Sequence, residues 1–288
     1  MNERRKVEQA PYVGSNRRRK LRYPVSFCRP LQLVAIFCSL LFIITGCSST
    51  TGSAIPPTVT PSVSSTPVPT PTPPSDDVLI ARTVHNMTLD QKLGQMVISE
   101  FYTSTFNNDL QQMIENNHIS GVLIENKNGN AQTRDQLVAL NKAMQAKAHI
   151  PLFISTDYEG GIVNELRQIT GERPSEATIG AANDPQKAYD AGHSAATDLT
   201  GLGLNVNFMP IVDVLTNPQN PGLPQRTFGS DPTLVTNMGQ AYLKGLTDGG
   251  VVGCLKHFPG LGSANLDPHL ALPFMNRSLA MLNAVDLV

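Results

Sequence analysis

The chain has 288 residues, with 22 Lys+Arg against 23 Asp+Glu and a formal net charge of −1. The charge is unevenly spread: nine of the 22 basic residues but only Glu3 and Glu8 of the 23 acids precede Cys47, which leaves 13 basic against 21 acidic residues, a net of −8. An acidic remainder excludes nucleic acid and an anionic membrane surface as partners of the domain itself, and the four cysteines form neither a disulfide framework nor a metal-ligand spacing, so no metal or cofactor is expected.

The first quarter does not read as globular. Arg4, Arg5, Lys6, Arg17, Arg18, Arg19, Lys20, Arg22 and Arg29 precede an apolar stretch from Leu31 to Ile44, the order of a secretory leader. The stretch ends at Ile44-Thr45-Gly46-Cys47, which resembles a bacterial lipobox. That resemblance implies a lipoprotein signal peptide over 1–46, Cys47 as the lipidated N-terminus, and export to the outer face of the cell membrane. A short transmembrane anchor is the competing reading, but the apolar stretch is shorter than the ~20 residues a spanning helix needs. Residues 47–75 are mostly Ser, Thr and Pro, too poor in apolar surface to offset ordering entropy, and are expected to form a disordered spacer.

From residue 76 onward, short apolar runs alternate with amphipathic stretches. Strands are expected over Gly94 to Phe101, Ser120 to Glu125, Pro151 to Thr156, Val206 to Val212 and Gly250 to His257, with Cys254 buried in the last. Helices are expected over Thr133 to Lys147, with Leu137, Leu140 and Met144 on one face, and over Pro185 to Leu199, opening at Asp184. This order predicts an α/β domain of parallel strands and crossover helices. Asp157, Asp213 and the Lys256-His257 pair each follow a predicted strand, and a barrel of the TIM type builds its site from such strand ends.

Five motifs carry the candidate chemistry. Asp157-Tyr158-Glu159-Gly160-Gly161 places two carboxylates before a glycine turn. Asn207-Phe208-Met209-Pro210-Ile211-Val212-Asp213-Val214 ends a strand on a third. Arg226-Thr227-Phe228-Gly229 offers a guanidinium fork. Lys256-His257-Phe258-Pro259-Gly260-Leu261-Gly262 puts a cation and an imidazole in a Gly/Pro loop. In Asp267-Pro268-His269, an extended backbone would turn residues i and i+2 to one side, so that carboxylate and imidazole meet.

Together these motifs closely resemble family 3 glycoside hydrolases, in the β-N-acetylhexosaminidase branch, from about Met87 to the last residue. The resemblance implies a (β/α)8 barrel domain over 76–288 that removes terminal non-reducing N-acetylhexosamine from β-linked glycans by a retaining mechanism. Asp157, Arg226, Lys256 and His257 would bind the sugar. Asp213 would orient its neighbours, and Glu159 would organise its loop. His269, oriented by Asp267, would protonate the departing oxygen and then activate water. The chain departs from the pattern where Ile162-Val163-Asn164-Glu165 lacks two expected arginines, where Leu261 replaces a histidine, and where Pro268 replaces a serine.

A retaining enzyme also needs a carboxylate nucleophile, which in this family lies on a strand beyond the Asp-x-His loop. About 210 residues follow the spacer, against ~250 for a typical barrel, so the last strands and the nucleophile are expected to be missing; Asp286 falls in a predicted final helix. A β-glucosidase of the same family and a non-catalytic sugar-binding lipoprotein stay open as alternatives.

Overall fold

The computed structural model describes residues 75–288. The leader, Cys47 and nearly all of the spacer lie outside the described residues.

The element order is α1 (Asp76–Asn86), α2 (Leu89–Gly94), β1 (Ile98–Glu100), α3 (Asn108–Gln111, continued by a π turn, Gln112–Asn116), β2 (Gly121–Ile124), α4 (Arg134–Gln145), β3 (Phe153–Thr156), β4 (Tyr158–Gly160), β5 (Val163–Asn164), α5 (Arg167–Thr170), α6 (Glu176–Ala181), α7 (Pro185–Thr200), β6 (Val206–Asn207), α8 (Pro232–Asp248), β7 (Val252–Gly253) and α9 (Leu279–Val285). Strands β1, β2, β3, β6 and β7 form one parallel sheet in that spatial order, and β4 with β5 forms a small antiparallel hairpin. Among the described residues β1 and β7 are edges of the sheet. They do not close into a ring of eight strands. No helix of the described residues is long and apolar enough to cross a membrane.

The helices start where their sequences dictate. Thr133 and Gln136 form a reciprocal capping box at α4, whose buried face is Leu137, Leu140 and Met144 as the periodicity predicts. Asp184 and Asp231 cap α7 and α8, each followed by a proline at the first helical position, where its missing N–H costs nothing. These two helices pack closely because Gly192 and Gly245 face backbone: a Cβ at either would stand 2.2 Å from a carbonyl oxygen of the partner helix.

The strands sit on a core of Val122, Ile124, Ile154, Met209 and Ile211, all fully buried, at about 1.5 to 3 kcal/mol for each large side chain. Buried polar groups on the strands are satisfied across the ladder. Ser155 Oγ donates to Val122 O and Thr156 Oγ to Ile124 O.

Three strand expectations need correction. Gly94 closes α2 instead of opening a strand, and β1 spans only Ile98–Glu100. The run expected over Val206 to Val212 pairs at Val206–Asn207 and again at Ile211, opposite Lys256, with the Met209–Pro210 bond, which is cis, between them. The Gly250 to Leu255 run is buried only at Val251; Cys254 is exposed, and Val252 and Leu255 are both about half exposed. β7 pairs with β6 alone among the described residues, so its outer side lacks the cover that an apolar run predicts.

Candidate active site

The site grows from the C-terminal ends of β3, β6 and β7. Thr156 ends β3, and the chain turns at once into the β4–β5 hairpin, placing Asp157 and Glu159 at its base. The Asn207 side chain clamps the first residue of that hairpin, since its Oδ1 accepts the Tyr158 N–H at 3.1 Å and its Nδ2 donates to Tyr158 O at 3.3 Å. The turn needs glycine at 160, where φ is +89° and a Cβ would stand 2.3 Å from Pro174 O.

Glu159 is the hub. Its Oε2 accepts from Arg226 Nε at 2.8 Å and its Oε1 from Arg226 Nη2 at 2.9 Å, a bidentate pair. The same Oε1 takes Lys256 Nζ at 2.6 Å, and Lys256 Nζ also reaches Asp157 Oδ1 at 2.5 Å. The Glu159 side chain is only 2 % exposed, and those of Arg226 and Lys256 are 13 % and 14 %. Burial pushes the Glu159 carboxyl up, but its bonds to Arg226 and the charges of Lys256 and Arg226 outweigh that and leave it below the ordinary carboxylate range. Burial pulls the Arg226 guanidinium down, and Glu159 more than restores it. Two carboxylates and two cations thus balance at the strand ends.

A second network holds the imidazole. Asp213, fully buried, accepts from His257 Nδ1 at 2.6 Å and from the His257 N–H at 3.2 Å through Oδ2, and from the Leu261 N–H at 2.6 Å through Oδ1. With Nδ1 bound to the carboxylate, His257 turns Nε2 outward. Thr227 Oγ1 donates to Asp213 O, which joins the Arg226 segment to this strand end.

Asp267 and His269 meet, though not in the expected way. The segment is a turn, with Leu270 and Ala271 N–H both donating to Asp267 O, and Asp267 Oδ1 accepts from the His269 N–H at 2.9 Å and from Nδ1 at 2.7 Å. Pro268 supplies the fixed φ that the second residue of a turn favours, so the contact comes from a folded backbone instead of an extended one. The His269 N–H and ring bonds hold the Asp267 carboxyl below its usual range. The His269 side chain is 79 % exposed. Among the described residues this pair makes no hydrogen bond or ion pair to the Asp157–Glu159–Arg226–Lys256 cluster.

Asp157, Arg226, Lys256 and His257 are therefore brought together, and the Asp267–His269 pair, though within reach of the Arg226 charge, is not bonded to them. Arg226 differs from expectation in one respect: half of its fork is spent on Glu159, leaving Nη1 without a partner among the described residues. Arg167 does not replace the absent arginines, because it donates to Gly161 O and pairs with Glu172. Glu165 instead accepts the Asn126 N–H at 2.7 Å. Asp286 caps the end of α9, where its side chain, 1 % exposed, pairs with Arg277 Nη1 at 2.5 Å and abuts Gly260.

A cavity of about 350 Å³ adjoins Lys256, His257 and Phe258 and is bounded by α8 and residues 285–288. A larger one, about 430 Å³, lies at the opposite ends of β2 and β3 beside His118 and His149, away from all of these charges. Size does not decide between them. The functional groups do, and they converge only at the C-terminal strand ends.

Parallel strands carry paired charges to one end of this α/β domain. The pattern of the glycosyl hydrolase family 3 N terminal domain matches residues 88–288, and the chain belongs to that family. It is similar to beta-hexosaminidase A of Pseudoalteromonas piscicida, 32% identical over 227 residues, covering 70% of this chain and 38% of that one. It is also similar to beta-hexosaminidase LpqI of Mycobacterium tuberculosis, 35% identical, covering 56% of this chain and 41% of that one. Among solved structures, a family 3 β-N-acetylglucosaminidase from a Paenibacillus species aligns with a TM-score of 0.67 at 34% identity, covering 70% of this chain and 39% of that one. NagZ from Neisseria gonorrhoeae in complex with N-trifluoroacetyl-D-glucosamine aligns at 0.61 and 30% identity, covering 66% of this chain and 57% of that one. The chain spans about two fifths of the length of these two curated relatives.

Proposed function

We propose that this domain binds the terminal non-reducing N-acetylhexosamine of a β-linked glycan and takes part in its hydrolysis, with peptidoglycan turnover as the setting. The carrying observation is the Asp157–Lys256–Glu159–Arg226 cluster at the strand ends. Asp157 is its most exposed member, and the Lys256 ammonium still has a third proton to donate. His257 adds its outward Nε2. Vicinal sugar hydroxyls, each both donor and acceptor, match such a mixed set of charged groups.

Proton transfer falls to His269. Asp267 accepts from Nδ1, so Nε2 is the nitrogen that gives a proton to the departing oxygen and takes one from water. Asp286 is not suited to attack an anomeric carbon, because it is buried against Arg277, and burial raises its carboxyl above the usual range. The parallel order of the sheet and the site at its C-terminal ends support a β/α barrel as the parent architecture. The basic and apolar leader ending at Cys47 supports export and lipid anchoring.

Calorimetry with N-acetylglucosamine tests the assignment. Asp157→Ala is expected to abolish measurable binding, since losing one partner of a desolvated charge pair costs about 2 to 5 kcal/mol. Unchanged affinity in that variant moves the sugar elsewhere.

A further inference from the structure

Glu176 takes no part in the chemistry above, yet it is a fully buried carboxyl beside the site. Its residue is 1 % exposed. Oε1 accepts the Ile211 N–H at 3.0 Å, while Oε2 is buried with no hydrogen-bond partner among the described residues. Ile211 lies within a short ladder that leads to the site: Lys256 N–H donates to Pro210 O at 3.2 Å, Val212 N–H donates to Lys256 O at 2.8 Å, and Asp213 follows. The segment bearing Glu176 has no room to withdraw. A Cβ at Gly180 would stand 1.9 Å from Phe228 O, and one at Gly160 would stand 2.3 Å from Pro174 O.

We infer that Glu176 is kept as a neutral carboxylic acid and acts as a positioning residue, fixing through Ile211 the turn from which Lys256 and Asp213 are aimed. A buried carboxylate with a bare oxygen is very costly, whereas the uncharged acid costs much less to bury and still accepts the backbone N–H. The charged or titratable groups acting on it are Glu159 from β4, Lys256 beyond β7, Arg226 from its loop and Tyr242 from α8, and none reaches Oε2. Glu159 already engages both cations. Burial pushes the Glu176 carboxyl well above the usual range, with the Ile211 N–H opposing. Because the folded value is raised, the stability this group contributes is complete below the ordinary carboxyl range and is lost as pH rises toward its own titration.

This role rests on the sugar-binding reading only for its effect on affinity, and the test separates the two. In the full chain, wild type is compared with Glu176→Gln, which mimics the neutral acid, and Glu176→Ala, which cannot hold Ile211. Infrared difference spectra at neutral pH are expected to show a protonated carboxyl band that Glu176→Gln lacks. Glu176→Gln should keep the amide exchange protection of Ile211, Val212 and Lys256 and the affinity for N-acetylglucosamine, and its Tm advantage over wild type should grow as pH rises above the ordinary carboxyl range. Glu176→Ala should lose that protection and weaken affinity roughly tenfold or more. Absence of the band, or equal damage from Gln and Ala, overturns the inference. If the band and the protection pattern hold while wild type fails to bind the sugar, the functional reading falls and the neutral acid remains.

Discussion

The strand-end cluster and the Asp267–His269 turn are built in opposite ways. In the cluster, Arg226 finds Glu159 across 67 residues, Lys256 finds Asp157 across 99, and His257 finds Asp213 across 44. The turn needs only two residues and its own backbone bonds. The cluster is mostly buried, and the imidazole of the turn is mostly in solvent. The groups proposed to recognise a sugar are thus fixed by the whole fold before any ligand arrives, which lowers the ordering cost of binding. The groups proposed to move protons are fixed locally and keep one imidazole nitrogen free. Damage to the first should appear in stability and affinity together, and damage to the second in turnover alone.

The strongest test of that contrast is Glu159→Ala. It strips Arg226 and Lys256 of their shared counter-charge, and breaking a buried ion pair on one side costs about 3 to 5 kcal/mol. Denaturant unfolding should shift by that order, with sugar affinity lost at the same time. A variant of near wild-type stability would mean that the cluster is not the hub of the fold. Asp213→Asn comes next. It weakens three hydrogen bonds that orient His257 and Leu261, at roughly 1.5 to 3 kcal/mol for a bond to a charged group, so affinity by calorimetry should fall about tenfold to a hundredfold.

Acid gives a subtler separation. The Glu159 carboxyl is lowered, so its stabilising contribution is complete above the ordinary carboxyl range and is lost only as pH falls through its depressed value. Unfolding followed against pH should show an acid limb below that range in wild type, and the limb should be shallower in Glu159→Gln, which leaves other lowered carboxyls such as Asp267 in place. Glu176 has the opposite sign, losing stability as pH rises. One site therefore holds two buried carboxyls that titrate in opposite directions from the ordinary value.

Much of this was legible in the sequence because the motifs mark strand ends. Asp157, Asp213, Lys256 and His257 converge because parallel strands carry their C-terminal ends to one side of the sheet, and order along the chain predicts that. Partner choice within the cluster was not legible. Nothing local tells whether the Arg226 fork faces a ligand or Glu159, since the answer depends on a residue 67 positions away. Pro268 was ambiguous for a different reason: proline fits an extended segment and the second position of a turn equally, and only the bonds from Leu270 and Ala271 to Asp267 O decide for the turn. Helix α8 went unpredicted although Asp231-Pro232 repeats the start signal of α7 at Asp184-Pro185, so that signal could have found it. The exposure of Cys254 follows from β7 being an edge, which an apolar run cannot reveal.

The smallest expected stability effect carries the largest functional contrast. Asp267→Asn and His269→Ala alter a solvent-exposed turn whose backbone bonds to Asp267 O survive both changes. The unfolding midpoint and the affinity for N-acetylglucosamine should therefore match wild type in both variants. In a family 3 protein that turns over a nitrophenyl N-acetyl-β-glucosaminide, the equivalent changes should lower kcat and leave sugar affinity alone, as expected where only the transition state loses an interaction. Applied to this chain, the same pair of measurements separates the regions cleanly. If Asp267→Asn weakens sugar binding as strongly as Asp213→Asn does, the turn belongs to the recognition apparatus, and the division between fold-built binding and locally built proton transfer is wrong.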